Sequence, residues 1–573
     1  MNKKILIGVA WPYVNGDLHV GHLAGYLLPA DIFARYNRLV GNDVLMVSGS
    51  DCHGTPITVE ADKSGLSPIE VVEKYHKQDL ELFRLYDLSY NLYTKTTTKN
   101  HKQVVQQMFL ELLKNGYIIK DTMQQYYSMK DNKFLPDRYV EGTCPHCNAR
   151  EQRSDQCESC GRWLKDGELI DPVSKLTGAK VVLKDTEHYF LDFQKLEPLL
   201  KDYVAEHKDV WRKWVWQETD SWLREGLQKR AITRDMDWAI ELPLEELRKL
   251  PTEMQLTDYT GKHIYVWFEA VIGYLSASIE WAQTNEQTEG IIFNRYDGQS
   301  QDWKVWWLNK EALIYNFMGQ DNLVFHTLMW PAQLMGTKNG YTLPHNVVVN
   351  KFMNYEGRKF SKSRNWTINS RLIAERYGVD LVRYYISSNL PENKEGNFTW
   401  EGFVASVNNE LVANLGNFIN RTLKFLEARF NSELTLHKES PSLEIAKEID
   451  AVFSEMSAHL EQCEFVAGLE RLMEYTRFGN KYFDDKEIWQ VIKQDESKAA
   501  EIMFDLLSLI IQLPILMEPY VPTAAKKLHS MINTNDFKPK WEKQSLAQFK
   551  LNKPVEILFS KLDAETVLTQ KDK

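Results

Sequence analysis

The N-terminal segment of the chain places the strongest limit on its fold. Residues 5–11, Ile-Leu-Ile-Gly-Val-Ala-Trp, are apolar and rich in β-forming residues but too few for a helix, so they predict a buried strand of a parallel sheet. Residues 12–17, Pro-Tyr-Val-Asn-Gly-Asp, have the chemistry of a turn, and from Leu18 the pattern becomes helical. A strand, a glycine turn and a helix in this order open a nucleotide-binding unit, which predicts an α/β fold.

Two histidines stand at the start of this predicted helix. His19 and His22 are three residues apart and share one face of its first turn, with Gly21 between them. A helix N-terminus favours anions, imidazole N–H groups add directed hydrogen bonds, and a glycine lets a flat ring approach the backbone. Half a zinc site or two surface histidines are the simpler alternatives. Because the chain has neither a Walker A pattern nor a G-x-G-x-x-G fingerprint, this segment is its best candidate for a triphosphate site.

A second candidate phosphate site lies far downstream, in residues 357–365, Gly-Arg-Lys-Phe-Ser-Lys-Ser-Arg-Asn. Lys359 and Lys362 are three residues apart, and Ser361 and Ser363 supply small hydroxyl groups beside them. Mobile ammonium groups can neutralise the charge that builds up on a departing pyrophosphate. Taken alone, the segment is equally typical of a solvated surface loop.

Four of the six cysteines have the spacing of a metal site. They form a C-x2-C-x9-C-x2-C pattern made by Cys144, Cys147, Cys157 and Cys160. Four thiolates can close a tetrahedral structural zinc site, which leaves no open position for catalysis. An iron–sulfur cluster and a set of redox thiols are the alternatives. Cys52 and Cys463 have no partner in the pattern, and we expect both to be small buried thiols.

Length and charge limit the class of protein. The 573 residues are enough for three or four modules, and the net charge of −10 argues against a wholly basic nucleic-acid-binding body while leaving room for a local basic track. The N-terminal apolar run is too short for a signal peptide and lacks a cleavage site. No stretch approaches the roughly 18 apolar residues of a membrane span. We therefore predict a cytoplasmic protein that does not bind a membrane.

The C-terminal half is predicted to be helical. Residues 389–400 form a connection marked by proline and glycine, after which apolar residues recur at helical spacing, with further amphipathic stretches around 443–461, 465–484 and 499–516. This pattern predicts an all-α module. Asn417 and Arg421 share a helix face in it, and Trp489 follows a polar stretch. Packing is the ordinary role of such a tryptophan.

The two candidate phosphate segments together resemble the signatures H-I-G-H and K-M-S-K-S of the class I aminoacyl-tRNA synthetases, with Val20 and Phe360 as conservative replacements. Further segments are similar to those of one family in this class, the methionyl-tRNA synthetases. These segments are Ala-Trp-Pro-Tyr-Val-Asn-Gly-Asp-Leu-His-Val-Gly-His (10–22), Ser-Gly-Ser-Asp-Cys-His-Gly-Thr-Pro (48–56), and residues 265–278 and 317–332. The cysteine segment fits as well, so the resemblance covers essentially the whole chain.

The resemblance implies an α/β fold: a Rossmann-like parallel-sheet catalytic core split by a zinc-knuckle insertion and followed by an all-α anticodon-binding bundle. The implied boundaries divide the catalytic domain into a first half, an insertion called the connective peptide (zinc knuckle 144–160) and a second half. A linking segment that contacts the tRNA stem and carries the lysine loop, the anticodon-binding domain and a tail follow. The two halves of the catalytic domain span residues 1–115 and 250–345, and the insertion between them spans 116–249. The linking segment spans 346–390, the anticodon-binding domain 391–545 and the tail 546–573.

The resemblance also assigns roles to individual residues. Methionine is long, unbranched and polarizable, so its site should have aromatic walls. Asp51 is a suitable anion for the substrate ammonium group, and Asp321 matches a family position that hydrogen-bonds the adenosine ribose. The methionine side chain is expected against Ala10, Tyr13, Trp267, Ala270, Tyr274, Phe325 and His326. The ATP phosphates are expected against His19, Gly21, His22, Lys359, Ser361 and Lys362, of which the histidines and lysines are the expected catalytic residues.

Two positions near the expected methionine site depart from the family pattern. Val271 stands where many relatives have proline, and Met329 stands where an aromatic residue is common. These departures bear on the shape of the pocket rather than on the identity of the substrate.

The implied reaction joins methionine and ATP to methionyl-adenylate with release of pyrophosphate, then transfers methionine to the 3′ adenosine of tRNA(Met). Both elongator and initiator tRNA are expected partners, and Asn417, Arg421 and Trp489 are expected to read the CAU anticodon. One structural Zn²⁺ per chain and Mg²⁺ with ATP are the expected ions. Because the segment after residue 545 supplies no dimerising barrel, we expect a monomer.

Two alternatives stay open at this point. One is a class I synthetase for leucine, isoleucine, valine or cysteine, although the first three usually carry a longer editing insertion and the last a zinc ion in the catalytic site. The other is a tRNA-binding paralogue without catalytic activity, or a zinc scaffold.

Overall fold

The computed structural model describes most of the chain. It covers residues 2–569 except 131, 136–138, 155–156, 158, 161–163, 165–166, 176, 284–285, 362–365, 436–439, 534–535 and 547.

A six-stranded sheet forms the centre of the catalytic region. Its strands, in chain order, are β1 (Lys4–Val9), β2 (Asp43–Ser50), β3 (Leu92–Lys95), β4 (Ile291–Ile292), β5 (Leu313–Gly319) and β6 (Pro344–Asn350). Their order across the sheet is β4-β3-β2-β1-β5-β6, and all neighbours are parallel except β4, which is antiparallel to β3. The apolar run predicted as a buried parallel strand at residues 5–11 forms that strand as far as Val9, and the strand lies between the two halves of the sheet.

Helices cover both faces of this sheet, as the near-continuous apolar character of its strands requires. The chain after β1 forms a helical turn, a π-helical turn and a longer helix in succession: Val20–His22, Leu23–Leu27 and Leu28–Leu39. The remaining helices of this region are Thr55–Ser64, Pro68–Leu85, Lys99–Lys114, Val266–Glu269, Gly273–Trp281, Lys304–Trp307 and Trp330–Thr337, with short 3-10 or π turns at Ala270–Ile272, Gln320–Asn322 and Phe325–Met329. Four fully buried tryptophans, Trp281, Trp306, Trp307 and Trp330, fill the core between these layers.

An insertion separates β3 from β4. Its main sheet is a long antiparallel pair, Ile118–Ser128 with Val181–Leu191, flanked by Lys133–Phe134 and Arg230–Ala231. A smaller sheet of Val140–Thr143, Gln152–Arg153 and Ile170–Ser174 holds the cysteine segment, and a third joins Thr233–Asp235 and Ile240–Glu241 to Lys262–Ile264. The helices of the insertion are Phe193–Glu206, Lys213–Glu225 and Leu244–Leu247, with a 3-10 turn at Thr252–Met254.

A linking region follows β6. The hairpin of Met353–Tyr355 and Arg358–Lys359 pairs with Gly396–Phe398, and the helices Ser370–Tyr377 and Val379–Ser387 lie between them in sequence. Lys359, the first lysine of the lysine loop, therefore belongs to a paired strand.

The C-terminal half is a helical bundle, as predicted. Its helices are Trp400–Ser406, a π segment Val407–Gly416, Asn417–Arg429, Leu443–Glu461, Phe465–Asp485, Ile488–Val491, Glu496–Ile510, Leu513–Met517 and Pro522–Ile532. Two of the predicted stretches match single helices closely, whereas the stretch predicted at 499–516 is interrupted after Ile510. Downstream, Gln548–Lys550 pairs with Glu433–Thr435, and the helix Ala564–Leu568 lies near the end of the described chain.

One expectation about apolar segments needs correction. Within the described residues, the stretch Glu496–Met517 has the length and hydropathy of a membrane-crossing helix. In its most apolar window, 83% of the residues are buried inside the structure. The stretch therefore consists of two consecutive buried helices of the bundle, Glu496–Ile510 and Leu513–Met517, whose apolar residues lie in the core.

Candidate active site

The helix that follows β1 begins with a reciprocal cap made by the two histidines. His19 is the N-cap, and its Nδ1 accepts a hydrogen bond from the backbone N–H of Gly21 at 3.1 Å. The backbone N–H of His19 in turn donates to Nδ1 of His22 at 3.0 Å. Because each Nδ1 accepts from the backbone, each neutral ring carries its proton on Nε2. The cap therefore places two imidazole N–H donors at the N-terminus of this helix, where an anion is favoured.

The lysine segment lies directly against this cap. The ring of Phe360 stacks on the ring of His19 with a centroid distance of 4.6 Å and an interplanar angle of 11°. A Cβ atom on Gly21 would lie 2.8 Å from the His19 ring and 3.3 Å from Phe360, so only glycine allows this close approach. The structure thus brings together two motifs that are more than 330 residues apart in the sequence.

Backbone hydrogen bonds fix the position of the lysine loop. Ser361 and Trp366 exchange two backbone hydrogen bonds of 3.0 Å each, which close the base of the loop. Just beyond the loop, the backbone N–H of Val20 donates to the carbonyl of Ile368 at 3.1 Å. Lys359 is exposed at the end of its strand. The predicted residues Lys362 and Ser363 lie outside the described residues.

A buried polar pair forms the floor of the expected side-chain pocket. Nδ1 of His326 lies 2.8 Å from the backbone carbonyl of Asn322, which can only accept, so Nδ1 carries the proton. Burial lowers the pKa of His326 to about 4, so the ring is neutral and its Nε2 is an acceptor. The hydroxyl of Tyr274 donates to this Nε2 at 2.7 Å. A Cβ on Gly8 would lie 2.7 Å from the Tyr274 ring, so this glycine makes room for the tyrosine.

Aromatic rings and small residues complete the pocket region. Trp267 and Phe325 meet edge to face, with their ring centroids 5.4 Å apart. Ala10 lies at the end of β1, where its N–H donates to the carbonyl of Phe317, and Tyr13 pairs with Asp51 in a parallel bridge. Ala270 begins a 3-10 turn. The two departures from the family pattern, Val271 and Met329, are both buried in the core.

Asp51 has the features of a cation site. Its side chain is buried, and its Oδ1 has no hydrogen-bond partner among the described residues. Burial, followed by the nearby charge of Glu269, raises the pKa of Asp51 well above its usual range. A buried carboxylate with an unsatisfied oxygen is costly unless a cation pairs with it. The position at the end of β2 therefore suits the ammonium group of an amino acid.

A buried histidine–glutamate–histidine group lies behind Asp51. Glu269 accepts from Nε2 of His101 at 2.6 Å and from Nδ1 of His53 at 2.9 Å, and all three side chains are buried. Burial alone would raise the pKa of Glu269, but the hydrogen bonds from the two histidines outweigh it and lower this pKa. These three residues were not predicted. The available signal was an acidic residue within the apolar stretch 265–278.

Asp321 lies at the carboxyl end of β5, in the 3-10 turn Gln320–Asn322. Its side chain is exposed there. In open α/β sheets, ligands bind outside the carboxyl ends of the strands where the strand order reverses. The order reverses between β1 and β5, so the histidine cap, Asp51 and Asp321 all lie at this edge.

The four predicted cysteines lie together and fit one metal ion. All four Sγ atoms are within 4.8 Å of one another, with 3.5 Å between Cys147 and Cys157 and 4.0 Å between Cys144 and Cys160. A tetrahedral zinc with Zn–S bonds of about 2.3 Å holds its sulfurs roughly 3.8 Å apart, so the donor set matches. Cys52 and Cys463 are both buried, as predicted.

The three residues predicted to contact the anticodon lie on one surface of the bundle. Arg421 pairs with Asp484 at 2.5 Å, and its guanidinium carbon is 4.0 Å from the centroid of the Phe483 ring. The indole of Trp489 stacks on the same Phe483 ring at 5.8 Å. Asn417 is exposed one turn before Arg421 and donates to Asn480 at 3.1 Å. Phe483 thus connects the arginine and the tryptophan.

Comparisons with known proteins agree with this arrangement. The family described as class I tRNA synthetases (M) matches residues 5–423, and the anticodon-binding domain of methionyl-tRNA ligase matches residues 437–572. The chain belongs to the methionyl-tRNA synthetase family. It is 42% identical over 542 residues to the methionine–tRNA ligase of Roseiflexus sp. (strain RS-1), which covers 93% of this chain and 87% of that protein. It is 39% identical over 585 residues to the methionine–tRNA ligase of Chlorobaculum tepidum, covering 99% and 80%.

Solved structures show the same fold. The Mycobacterium tuberculosis methionyl-tRNA synthetase bound by methionyl-adenylate superposes with a TM-score of 0.75 at 20% identity, covering 97% of this chain and all of that one. Membership of the methionyl-tRNA synthetase family confirms the predicted fold class and the predicted enzyme class, an ATP-dependent aminoacyl-tRNA ligase. It also confirms the predicted function as a methionine–tRNA ligase.

Proposed function

We propose that this chain activates methionine as methionyl-adenylate and transfers it to tRNA(Met), with the residues at the carboxyl edge of the sheet performing the first step. The observation that carries this proposal is the contact between the histidine cap and the lysine loop, together with the buried hydrogen bond between Tyr274 and His326. Methionine and ATP then meet between β1, β2 and β5, where no covalent nucleophile is needed. Catalysis is positioning and charge stabilisation.

The methionine ammonium group pairs with Asp51. The cation offsets the free-energy cost of burying the Asp51 carboxylate with one oxygen unsatisfied. The thioether chain lies against Tyr13, Trp267 and Phe325, with Ala10 and Ala270 leaving space for it. The neutral His326 and the hydroxyl of Tyr274 close the end of the pocket. Sulfur contacts with ring edges favour this side chain over branched aliphatic ones.

ATP binds with its phosphates at the histidine cap and its ribose at Asp321. The Nε2–H groups of His19 and His22 donate to phosphate oxygens, supported by the helix N-terminus. Lys359 and Ser361 approach from the lysine loop, and Lys362, outside the described residues, is assigned by the same motif. ATP arrives with Mg²⁺, for which no protein ligands are assigned.

The chemistry proceeds in two displacements. A methionine carboxylate oxygen attacks the α-phosphorus, the bond from that phosphorus to the bridging oxygen breaks, and the electron pair leaves with pyrophosphate. The charge that grows on pyrophosphate is stabilised by the histidine N–H groups and the lysine ammonium groups. A hydroxyl of the tRNA 3′ adenosine then attacks the activated carbonyl, and AMP leaves while the hydroxyl proton passes to solvent.

The cysteine cluster holds one Zn²⁺, which braces the insertion and takes no part in catalysis. Its closed set of four thiolates, with sulfur separations near those of a zinc tetrahedron, supports this assignment. The insertion, in turn, helps to shape the pocket for the tRNA acceptor end.

The bundle reads the CAU anticodon through Asn417, Arg421 and Trp489. Their shared surface, with an arginine and a tryptophan on one phenylalanine ring, suits unstacked bases that need a stacking partner and a hydrogen-bond donor. The same surface serves initiator and elongator tRNA. We further propose that the protein acts as a monomer in the cytoplasm and does not bind a membrane.

Replacement of one histidine tests the assignment of the phosphate site. In His22→Ala, kcat for methionine-dependent ATP–pyrophosphate exchange should fall about 10²–10³-fold, as for loss of one transition-state donor. The methionine KM should stay within about threefold of the parent value, because His22 does not contact methionine. His459→Ala, on the surface of the bundle, is the matched control and should leave both constants unchanged. A raised methionine KM with an unchanged kcat in His22→Ala would refute the assignment.

A further inference from the structure

A buried group of charged side chains joins the catalytic region to the helical bundle. We call Asp31, Arg35, Arg383 and Glu518 the junction cluster. Asp31 and Arg35 lie on the helix Leu28–Leu39, Arg383 lies on the linking helix Val379–Ser387, and Glu518 follows the bundle helix Leu513–Met517. All four side chains are at least nine-tenths buried. The cluster is outside the phosphate, methionine and anticodon sites.

Asp31 is the centre of the cluster. Its Oδ1 accepts from both the backbone N–H and the hydroxyl of Ser89, each at 2.7 Å. Its Oδ2 accepts from Arg35 at 2.9 Å and from Arg383 at 2.7 Å. Burial alone would raise the pKa of Asp31, but the two guanidinium charges and the Ser89 hydrogen bonds outweigh it and lower this pKa well below its usual range. Asp31 is therefore ionised and shared between two arginines.

Arg383 connects three segments of the chain through one planar group. It donates to Asp31 at 2.7 Å, to the backbone carbonyl of Tyr86 at 3.0 Å, and to the carbonyls of Pro519 and Tyr520 at 3.1 and 2.9 Å. The last two carbonyls belong to the turn between two bundle helices. A rigid guanidinium that donates in fixed directions sets the orientation of its acceptors as well as their distance. An apolar contact of the same size has no such directional preference.

Arg35 adds a second connection across the same junction. It donates to Glu518 at 2.5 Å and also contacts the carbonyl and carboxylate of Asp87. Arg35 thus pairs with the carboxylates of Asp31, Asp87 and Glu518, and Arg383 pairs with Asp31. Removing one member of a buried ion pair leaves the other unpaired and is strongly unfavourable, so the junction has one favoured arrangement.

The junction cluster is connected to the histidine cap through continuous helical chain. Asp31 is nine residues after His22, and the helical turns Val20–His22, Leu23–Leu27 and Leu28–Leu39 follow one another without a break. The same arginine that holds Asp31 also holds the turn at residues 519–520 of the bundle. Arg383 therefore contributes to the angle between the histidine-bearing helix and the bundle.

We infer that Arg383, through Asp31 and the carbonyls of residues 519–520, is a positioning residue for the transfer step. It holds the bundle so that a tRNA whose anticodon is bound at Trp489 presents its 3′ end at the histidine cap. Adenylate formation uses only groups of the catalytic region and does not depend on this angle. The inference rests on the proposed function, because it takes tRNA as the substrate that spans both regions.

Two variants separate this role from a general role in folding. Arg383→Lys keeps a positive charge beside Asp31 but loses the donors to the carbonyls of Tyr86, Pro519 and Tyr520. Arg383→Gln loses the charge as well. Arg471→Lys is the matched control, because Arg471 also bridges two carboxylates, Glu448 and Glu455, but does so within the bundle. Exchange activity, charging of full-length tRNA(Met) and charging of an acceptor-stem RNA hairpin are measured for each protein.

In both Arg383 variants, exchange should stay within about twofold of the parent, and so should charging of the hairpin, which does not reach the bundle. The kcat for full-length tRNA should fall about ten- to a hundredfold, as for a small misplacement of a reacting group, with the tRNA KM changed less than about threefold. Arg471→Lys should leave all three unchanged.

The other outcomes overturn the inference. Exchange that is lost in parallel with charging assigns Arg383 to folding alone, and unchanged charging of full-length tRNA shows that the junction angle does not matter. A rise confined to the tRNA KM shows a role in binding rather than in positioning. Absence of exchange or charging in the parent protein is a separate result, which refutes the proposed function before any variant is compared.

Discussion

Asp51→Asn tests the proposed ammonium site with opposite effects on binding and on stability. Asparagine has nearly the shape of aspartate but no charge, so the pocket keeps its form. In the ligand-free protein, the Asp51 carboxylate is buried with an unsatisfied oxygen and a raised pKa. The residue is therefore an unfavourable feature of the fold that a bound cation would offset.

The effect on methionine binding follows from the lost ion pair. A hydrogen bond to a charged group contributes about 1.5–3 kcal/mol, so the methionine Kd should rise about 10- to 150-fold in the variant. The effect on stability has the opposite sign. A carboxyl group whose pKa is raised on folding costs stability as the pH rises from its unfolded-state pKa of 3.8 through the raised value. The cost grows across this pH range, and Asp51→Asn removes it at neutral pH.

Calorimetric titration with methionine and thermal unfolding at neutral pH measure the two effects. The variant should bind methionine weakly and unfold, without ligand, at a temperature no lower than the parent. The parent should also lose methionine affinity as the pH falls through the raised pKa, whereas the variant should not. Asp220→Asn, which removes one partner of a surface ion pair with Arg224, is the control for charge loss. A variant that binds methionine within about threefold of the parent contradicts the assignment of Asp51.

Three further substitutions or treatments test other parts of the site. Tyr274→Phe leaves the buried Nε2 of His326 without a donor, at a cost of about 1–2 kcal/mol. The methionine KM should therefore rise about 5- to 30-fold, and an unchanged KM would place the tyrosine outside the pocket. Trp489→Ala should lower kcat/KM for tRNA(Met) about 5- to 150-fold through the loss of base stacking. ATP–pyrophosphate exchange should stay unchanged, and equal losses in both assays would contradict a role in anticodon binding. Metal analysis should find about one zinc per chain, lost in Cys144→Ser, whereas iron with visible absorbance would establish the iron–sulfur alternative.

The features that were predictable from the sequence are those encoded by local patterns. The strand β1, the turn after it and the bundle helices Leu443–Glu461 and Phe465–Asp485 follow from apolar periodicity over a few turns or residues. The cysteine cluster follows from the spacing, because two C-x2-C pairs can bring four thiolates within reach of one metal. The helix after β1 begins at Val20, two residues later than the pattern suggested, because His19 takes the N-cap position.

The features that were not predictable depend on contacts between distant segments. Glu269 looked like a single acidic residue in an apolar stretch, and only the fold places His53 and His101 against it. The stack of Phe360 on His19 joins two motifs whose separation in sequence carries no distance information. Arg383 had no distinguishing pattern, because its acceptors are mostly backbone carbonyls of other segments.

The slot that holds Trp11 is a similar case. A Cβ atom on Gly49 would lie 2.3 Å from the Trp11 ring, and one on Gly273 would lie 2.6 Å from it. The two glycines come from different parts of the chain and neither has a positive φ angle that would mark it as a turn residue. Both glycines leave room for the Trp11 ring, and this role could not be predicted without knowing where that ring lies.

Amino-acid-dependent ATP–pyrophosphate exchange, measured in parallel with methionine, leucine, isoleucine, valine and cysteine, tests the central claim most directly. Exchange with methionine alone is the predicted result, and it would establish adenylate formation and the assigned pocket together. Exchange with another of these amino acids would keep the fold but contradict the pocket built from Tyr274, His326 and Asp51. Folded, zinc-loaded protein that supports no exchange with any of them would contradict the proposed activity itself.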